Sequence, residues 1–306
     1  MTISDMTAQR RAATGPQVNI LPAGPRSRPL DWRRATQTAL IRLPPAFEEN
    51  VMRRWILVTA MLLGVRSVPA LADPQAMSGN VPVPAQDALV VRTGTLEFQG
   101  TGVYTNDNHN SKGSSLLALT PTLKLGPFRH VQIDISAPYS VGNQSSASQG
   151  GQAIDAYYQF TDPSPVFPAL AVQAGYSVPY GPGRRTNQYF VRGLATQWLG
   201  SSERSPRLHL NLNWTRQTTP SETSRKEILE IVVAYSMLVS DSTAFVADVV
   251  HGAKSAKGQN QTVIDAGLRW EVDDHLALSA GAGVGVGQQS PAFRILFALQ
   301  RSLQLF

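Results

Sequence analysis

The charged side chains that could do chemistry in this sequence lie at alternate positions of apolar runs. Acids and bases of both signs share one face of these runs: Lys124, Asp134, Asp155, Glu230, Asp248, Asp265, Arg269, Glu271 and Arg294. A lone charge buried in a low-dielectric interior is costly, so charges of both signs on one buried face are expected to pair. The pattern predicts either an ion-paired filling of that interior or a narrow path with charged steps.

The residues that could take part in catalysis do not stand in recognisable catalytic motifs. The histidines, His109, His130, His209, His251 and His275, stand in no nucleophile motif and in no metal-ligand spacing. His130 and His209 are predicted to face the same interior as ordinary polar groups. The glycines between Gly281 and Gln288 recur at period two without a following helix, which indicates small residues on an interior face and not a phosphate loop. We therefore predict no catalytic residue, no metal and no cofactor.

The elements that must position these side chains are β-strands, because alternation with period two dominates after Thr93. In "LHLNLNWT", apolar side chains alternate with His209, Asn211 and Asn213. Twelve such runs can be drawn: 95–105, 115–125, 130–139, 152–160, 169–178, 188–198, 208–215, 228–238, 244–251, 262–272, 276–286 and 292–303. Twelve is even, as in closed antiparallel barrels of one chain. The predicted fold is all-β, a transmembrane antiparallel up-and-down β-barrel of about 12 strands over residues 93–306.

The connections between the runs alternate in character. Odd-numbered links are mostly long, polar and rich in Gly, Ser or Asn, whereas three of the even-numbered links are very short. Outer-membrane barrels pair long outside loops with short periplasmic turns. The fourth and sixth links, "TDPSPVFP" and "LGSSERSP", are longer than expected. Arg184 and Arg185 in the fifth link are predicted to form a solvated turn or, as the alternative, to contact lipopolysaccharide phosphates.

Aromatic side chains are sorted to the ends of the predicted strands, as the girdles at the two lipid interfaces require. At the outer rim these are Tyr104, Tyr139, Tyr176 and Trp214, and at the inner rim Phe160, Trp198 and Trp270. A soluble β-sandwich has no reason for this order. Run 188–198 is the exception to clean alternation, because Arg192 shares a face with apolar side chains, and a kink or bulge is predicted there.

The segment before the barrel has the layout of a secretory signal peptide over residues 52–72. Arg53 and Arg54 precede an apolar run, and Ala70 and Ala72 form an A-x-A cleavage pattern. The apolar run is too short for a spanning helix, which needs about 20 residues. Export with cleavage after Ala72 is therefore predicted.

The remaining segments before the barrel have no sustained hydrophobic period. Residues 1–51 are expected to be a disordered extension or to lie upstream of a true start at Met52. Residues 73–92 are either a periplasmic linker or a plug that lies in the lumen, since their prolines argue against a central strand.

Net charge gives no support to a nucleic-acid partner. The chain carries +6, but Lys and Arg outnumber Asp and Glu only before Asp73, and the two signs balance in the remainder. There is no cysteine, so disulfides and thiolate metal sites are excluded. The partners expected of such a barrel are outer-membrane lipid and lipopolysaccharide, the barrel-assembly machinery and a small hydrophobic solute, and we expect a monomer.

The carboxy-terminal third resembles a known family. "VSDSTAFVADVVHG" and "VDDHLALSAGAGVGVGQQSPAFRILFALQRSL" are similar to the closing hairpins of the outer-membrane family named for the meta-pathway of phenol degradation, and "GPFRHVQIDISAPYS" resembles its recurring turn and strand. The similarity spans Thr95 to Leu303. Family members are regarded as transporters, so the resemblance implies a barrel and, more weakly, passage of small aromatic or hydrophobic compounds.

One feature departs from that family. Its members usually stop at an aromatic residue just after "QRS", whereas here four residues follow Ser302 and Phe306 falls out of phase with the last run. Either a bulge re-phases the end or Leu305 serves as the terminal apolar group. The expected function is an outer-membrane channel or transporter for small hydrophobic or aromatic compounds. The alternatives are a plugged structural or adhesion barrel and, less favoured, an outer-membrane lipid hydrolase.

Overall fold

A computed structural model of the chain describes residues 75–77, 82–107, 113–143, 149–181, 186–202 and 204–306. The predicted extension and signal peptide, with Ala70 and Ala72, lie outside these ranges, as do Arg184 and Arg185. The regular structure of the described residues is β1 (Thr95–Asp107), β2 (Ser114–Phe128), β3 (Val131–Ser136), β4 (Tyr139–Gly142), β5 (Gln149–Gln159), β6 (Ala169–Tyr180), β7 (Gln188–Trp198), β8 (Arg207–Gln217), β9 (Glu227–Leu238), β10 (Thr243–Ala253), β11 (Asn260–Asp273), β12 (Leu276–Val286) and β13 (Phe293–Gln304). Within these ranges no helix has the length and apolar character needed to span a bilayer.

The sheet closes on itself, because β1 pairs antiparallel with both β2 and β13. β3 and β4 are two parts of one wall strand, since both pair with β2 on one side and β5 on the other. They are separated at Ala137 and Pro138, where proline has no N–H to donate to the ladder. The wall therefore has 12 strands, which confirms the predicted closed antiparallel barrel.

The outer surface of the wall is a belt of apolar side chains. On β8, Leu210 and Leu212 are 41% and 50% exposed, whereas Asn211 between them is 2% exposed. Other strands show the same alternation, with exposed Ile133, Ile154, Val233, Ile264 and Phe297. Because the sheet has no open edge, each wall strand pairs with a neighbour on both sides and the belt can face hydrocarbon.

The two ends of the barrel differ. We call the end at which β1 begins and β13 ends the inner end, and the opposite one the outer end. Tyr139 at the outer rim is 40% exposed, and Phe160 and Trp270 at the inner rim are 57% and 49% exposed. These three side chains therefore lie on the surface, as predicted for aromatic girdles. Trp198 differs from the prediction: it lies in the inward phase of β7, and the Arg207 guanidinium lies 5.6 Å from the centre of its ring.

The irregularity predicted in run 188–198 and the bulge considered as one alternative near the end of the chain are not present among the described residues. β7 pairs with β8 without interruption from Gln188 to Trp198, so the predicted kink was wrong. Its inward face is mixed because apolar Leu194 packs on a chain segment inside the barrel and not on lipid. β13 also pairs regularly with β1 as far as Gln304, which leaves no bulge, and Leu305 stays 53% exposed in the lipid-facing phase.

Candidate functional site

Residues 82–92, which we call the lumen segment, run across the inside of the barrel before β1 begins. The Ala85 N–H donates to Asp248 on β10 at 3.1 Å, and the Val91 N–H donates to Gln132 on β3 at 2.8 Å. The Gly94 N–H then donates to the Gly126 carbonyl on β2 at 2.7 Å. The segment therefore passes several wall strands in turn and joins the wall at β1.

Side chains of the wall take the place of a strand partner for this segment. The Ala88 N–H donates to the Thr196 hydroxyl at 2.9 Å, and the Val90 N–H donates to Gln159 at 3.3 Å. Asn211 forms two bonds with Gln86: its Oδ1 accepts the backbone N–H at 2.7 Å and its Nδ2 donates to the carbonyl at 2.6 Å. A buried backbone group must be satisfied, so these polar residues hold the segment in place.

The lumen segment also covers two apolar patches of the inner wall. Val83 and Ala85, together with Met77, pack on the valine patch, which consists of Val232, Val246 and Val250 with Ala234. Ala88, Leu89 and Val90 pack on the tyrosine patch, which consists of Tyr157, Ala169, Ala171 and Leu194. The Tyr157 hydroxyl also donates to the Asp87 carbonyl. Five apolar side chains of the segment thus lie on apolar parts of the inner wall.

Glycines on the interior face make room for the segment. A Cβ added at Gly281 would lie 2.2 Å from the Pro82 carbonyl oxygen, and one at Gly267 would lie 2.8 Å from the Pro82 Cβ. Small residues on this face were predicted, and at Gly267 and Gly281 the space that they leave is next to Pro82 of the lumen segment. A side chain at Gly281 is therefore incompatible with the present position of Pro82.

Three of the nine predicted lumen residues lie in the inner half of the barrel, and two of them, Lys124 and Arg269, join one polar network. The Lys124 ammonium lies 3.5 Å from the Glu97 carboxylate, and both side chains are buried. Gln300 donates to Glu97 at 2.6 Å and accepts from Arg269 at 2.6 Å. Glu271 lines the inner end of the same region.

Two further predicted residues accept hydrogen bonds from neighbouring amides. Asp134 accepts from Gln132 at 2.8 Å, and Asp155 accepts from Gln173 at 2.5 Å. Both carboxylates are buried and are register partners on β3 and β5. Glu230, on β9, accepts from Asn213 at 3.0 Å.

The last three predicted residues form a group beside the lumen segment. Arg294 donates from Nε to Asp265 at 2.6 Å and forms a second bond through Nη2. Asp248 is the register partner of Asp265 and accepts the Ala85 N–H. The nine residues therefore lie inside the barrel in separate groups, and the group at Asp248 bonds the lumen segment directly.

Three residues of the interior, Glu97, Arg207 and Asp87, are not among those predicted from the sequence. Glu97 shares the inward phase of β1 with Gln99, so its alternation with Leu96 and Phe98 could have identified it. Arg207 is 1% exposed and begins β8, one position before the run drawn from the sequence. Asp87 precedes every strand, and its carboxylate accepts the Met77 N–H at 2.8 Å, a contact that no period reveals.

The two histidines predicted to face the lumen have different positions. His209 is buried and lies 3.0 Å from the Ser236 hydroxyl and 3.1 Å from the Thr196 hydroxyl. A hydroxyl thus stands where a hydrolase triad would place a carboxylate, and Thr196 is engaged by the lumen segment. His130 does not face the lumen: it lies in the turn between β2 and β3, 3.0 Å from Asp162. No group of three acidic or histidine side chains suited to a metal occurs in the described ranges.

A cavity of about 660 Å³ opens beneath the lumen segment at the inner end, and we call it the vestibule. Its wall combines apolar side chains, among them Leu89 and Trp198, with charged ones, among them Arg92, Arg207 and Glu271. Its volume lies within the range of small-molecule sites, about 300–1,000 Å³. The lumen thus consists of an inner vestibule and the segment that lies over it.

Comparison with known proteins gives a fold but no sequence family. No protein-family model and no curated protein matches the sequence. An outer membrane channel from Pseudomonas putida F1 superposes with a TM-score of 0.54 at 10% identity, over 71% of this chain and 98% of that one. The KdgM porin superposes with a TM-score of 0.43 at 10% identity, over 68% of this chain and 98% of the porin. The fold is that of bacterial outer-membrane β-barrels, and with its apolar belt the chain is an outer-membrane barrel.

Proposed function

We propose that this barrel is an outer-membrane channel for small hydrophobic or aromatic compounds, and that passage requires the lumen segment to leave its place. The observation that carries the proposal is that a segment outside the wall occupies part of the interior, beside the polar side chains of the wall. Glycines at 267 and 281 keep that part of the wall free of side chains. A barrel with a purely structural role could fill this space with larger side chains of its own.

The class of solute follows from what the segment covers. Val83 and Ala85 lie on the valine patch, and Ala88 lies on the tyrosine patch. If the segment withdraws, both patches are exposed to water at a cost that rises with apolar area. A small apolar solute in the lumen would reduce that cost, whereas a sugar or an ion would not. The resemblance to the phenol meta-pathway family supports the same class.

The hydrogen bonds of the segment allow reversible movement. They join its backbone to individual side chains such as Asn211, Thr196 and Gln159 and do not form a continuous ladder. Each hydrogen bond contributes about 0.5–1.5 kcal/mol, so the segment is held by several weak interactions. Polar partners that remain in the wall can bind water after it leaves.

A permanently plugged barrel is the second candidate, with a role in envelope structure or in adhesion through its outer loops. It is favoured by the number of segment N–H groups that already have partners, including those of Gln86, Ala88 and Val91. Under this alternative, weakening these bonds changes stability but does not open a path.

Solute uptake separates the two candidates. Vesicles with lipopolysaccharide in the outer leaflet and the full protein in the membrane would be given radiolabelled naphthalene, with an apolar trap inside. We expect faster uptake than in protein-free vesicles and no change for a radiolabelled trisaccharide. Naphthalene uptake that is equal with and without the protein would favour the plugged barrel, provided that a variant with fewer hydrogen bonds to the lumen segment also gives no faster uptake.

A further inference from the structure

The connections at the outer end above β8 to β11 are joined into one ordered surface. The Arg225 N–H donates to the Ser255 carbonyl at 2.7 Å, and the Lys257 N–H donates to the Thr223 carbonyl at 2.9 Å. Between these bonds, Ser224 and Ala256 form a β-bridge. The link from β8 to β9 and the link from β10 to β11 therefore hold one another in place above the wall.

The link from β12 to β13 is attached to the same surface. The Lys254 ammonium donates to the Gln289 carbonyl at 3.0 Å, and the Asn260 N–H donates to the Gln289 side chain at 2.8 Å. The Thr262 N–H donates to the Ser290 hydroxyl at 2.9 Å. Three outer links thus form one surface, and their side chains have defined positions.

This surface carries four cations, Arg225, Lys226, Lys254 and Lys257, which we call the outer cation cluster. Arg225 donates to the Gln259 carbonyl and to Asn260, each at 3.3 Å, and Lys254 donates to a carbonyl, so these contacts leave both positive charges unneutralised. Lys226 and Lys257 are exposed. Among the described residues no carboxylate forms an ion pair with any of the four.

The acidic residues nearby do not cancel this charge. Glu227 forms an ion pair with Arg216 at 3.8 Å, so that pair is neutral in sum. Glu222 is the one other carboxylate in the described links that form the surface. The outer cation cluster is therefore a patch of positive charge on one side of the barrel mouth.

The cluster lies just above the apolar belt. Leu229 of β9 is 64% exposed and lies three positions after Lys226, the last residue before β9 begins at Glu227, and a strand rises about 3.3 Å per residue. Because barrel strands are tilted, Lys226 is therefore less than about 10 Å above an apolar side chain that faces lipid. That distance places it at the depth of the phosphate groups at the membrane surface and not far out in solution.

We propose that the outer cation cluster binds the phosphate groups of lipopolysaccharide in the outer leaflet. Arginine and lysine are the side chains that bind phosphate, through charge-assisted hydrogen bonds. Two of the four are positioned by neutral carbonyl and amide oxygens, so their charge is available to a ligand. The inference rests on the position of the barrel in the outer membrane and does not depend on which solute passes.

The test measures binding of fluorescent lipopolysaccharide to the full protein in detergent micelles, with dephosphorylated lipopolysaccharide and inorganic phosphate as separate competitors. Each cation near an anionic surface contributes a factor of about five in binding. The double variant Lys226→Gln/Lys257→Gln should therefore bind about 25-fold more weakly than the wild type. Arg129→Gln is the matched control, because Arg129 is an exposed cation at the inner end, and it should bind as the wild type does.

The outcomes distinguish the source of the phosphate. Competition by intact lipopolysaccharide alone, with binding that weakens as salt is added, supports the proposal. Equal competition by dephosphorylated lipopolysaccharide, or displacement by inorganic phosphate at similar concentration, would overturn it. Unchanged binding in the double variant would also overturn it, provided that both variants keep the faster electrophoretic migration of an unheated barrel.

Discussion

Replacing Asn211 by alanine should release the lumen segment while leaving the barrel wall intact. Asn211 is 2% exposed and forms two hydrogen bonds with the backbone of Gln86, at 2.7 and 2.6 Å. The substitution removes both bonds and leaves a buried N–H and a buried carbonyl without those partners. Asn211 thus satisfies both backbone groups of one residue of the segment.

The size of the effect follows from these two bonds. At about 1 kcal/mol each they contribute about 2 kcal/mol to the closed state, which corresponds to a factor of about 30 in the ratio of closed to open channels. The unsatisfied backbone groups of Gln86 add to this cost, so the factor of about 30 in the ratio of closed to open channels is a lower bound. The wall is less affected, because the strand ladder of β8 uses backbone groups only.

Single-channel recording in a planar bilayer measures this ratio. Asn213→Ala is the matched control, because Asn213 lies on the same inward face of β8 and its side chain donates to Glu230 at 3.0 Å. We expect the open fraction to rise for Asn211→Ala and to stay at the wild-type value for Asn213→Ala. Equal open fractions for the two variants would refute the assignment of Asn211 as a support of the closed state.

Two further predictions concern the space that the segment occupies and the ion pair beneath it. Gly281→Ala should raise the open fraction, because the added Cβ would lie 2.2 Å from the Pro82 carbonyl oxygen. Gly193→Ala is the control and should leave the open fraction unchanged, because its Cβ would have no neighbour within 4 Å. An unchanged open fraction for Gly281→Ala would contradict the close contact between Gly281 and Pro82. Lys124→Met should lower the free energy of unfolding by about 3–5 kcal/mol, since it removes the Lys124 ammonium from the buried Glu97 carboxylate. Urea titration in micelles measures this free energy. The double variant Lys124→Met/Glu97→Gln should recover most of the stability lost in Lys124→Met. Equal losses of stability in the single and double variants would argue against the ion pair.

The wall could be predicted from the sequence because a barrel strand imposes one rule on every residue. Side chains alternate between lipid and interior, so "LHLNLNWT" identifies β8 and its faces without any structure. The even strand number and the positions of the short turns follow from the same alternation. The prediction failed on β7, where an inward side chain meets the lumen segment and neither lipid nor water. Leu194 is apolar and faces inward because it belongs to the same buried cluster as Ala88.

The candidate site could be predicted only in part. Alternation placed Asp248 and Asp265 inside, but it could not tell that Asp248 bonds the Ala85 N–H. Residues 82–92 have no period, since they are neither strand nor helix and are held by wall side chains far away in sequence. The sequence left open whether this segment lies in the periplasm or in the lumen, because both positions suit a chain rich in proline.

The most direct test of the account is to fix the lumen segment and measure uptake. The chain contains no cysteine, so a Gln86→Cys/Asn211→Cys variant would have a single pair of thiols at the place where the segment meets β8. We predict low naphthalene uptake by vesicles with the oxidised variant and recovery to at least the wild-type rate after reduction. Uptake at the same rate in the oxidised and reduced states, with the cross-link verified by mass spectrometry, would contradict the claim that the segment must move for passage.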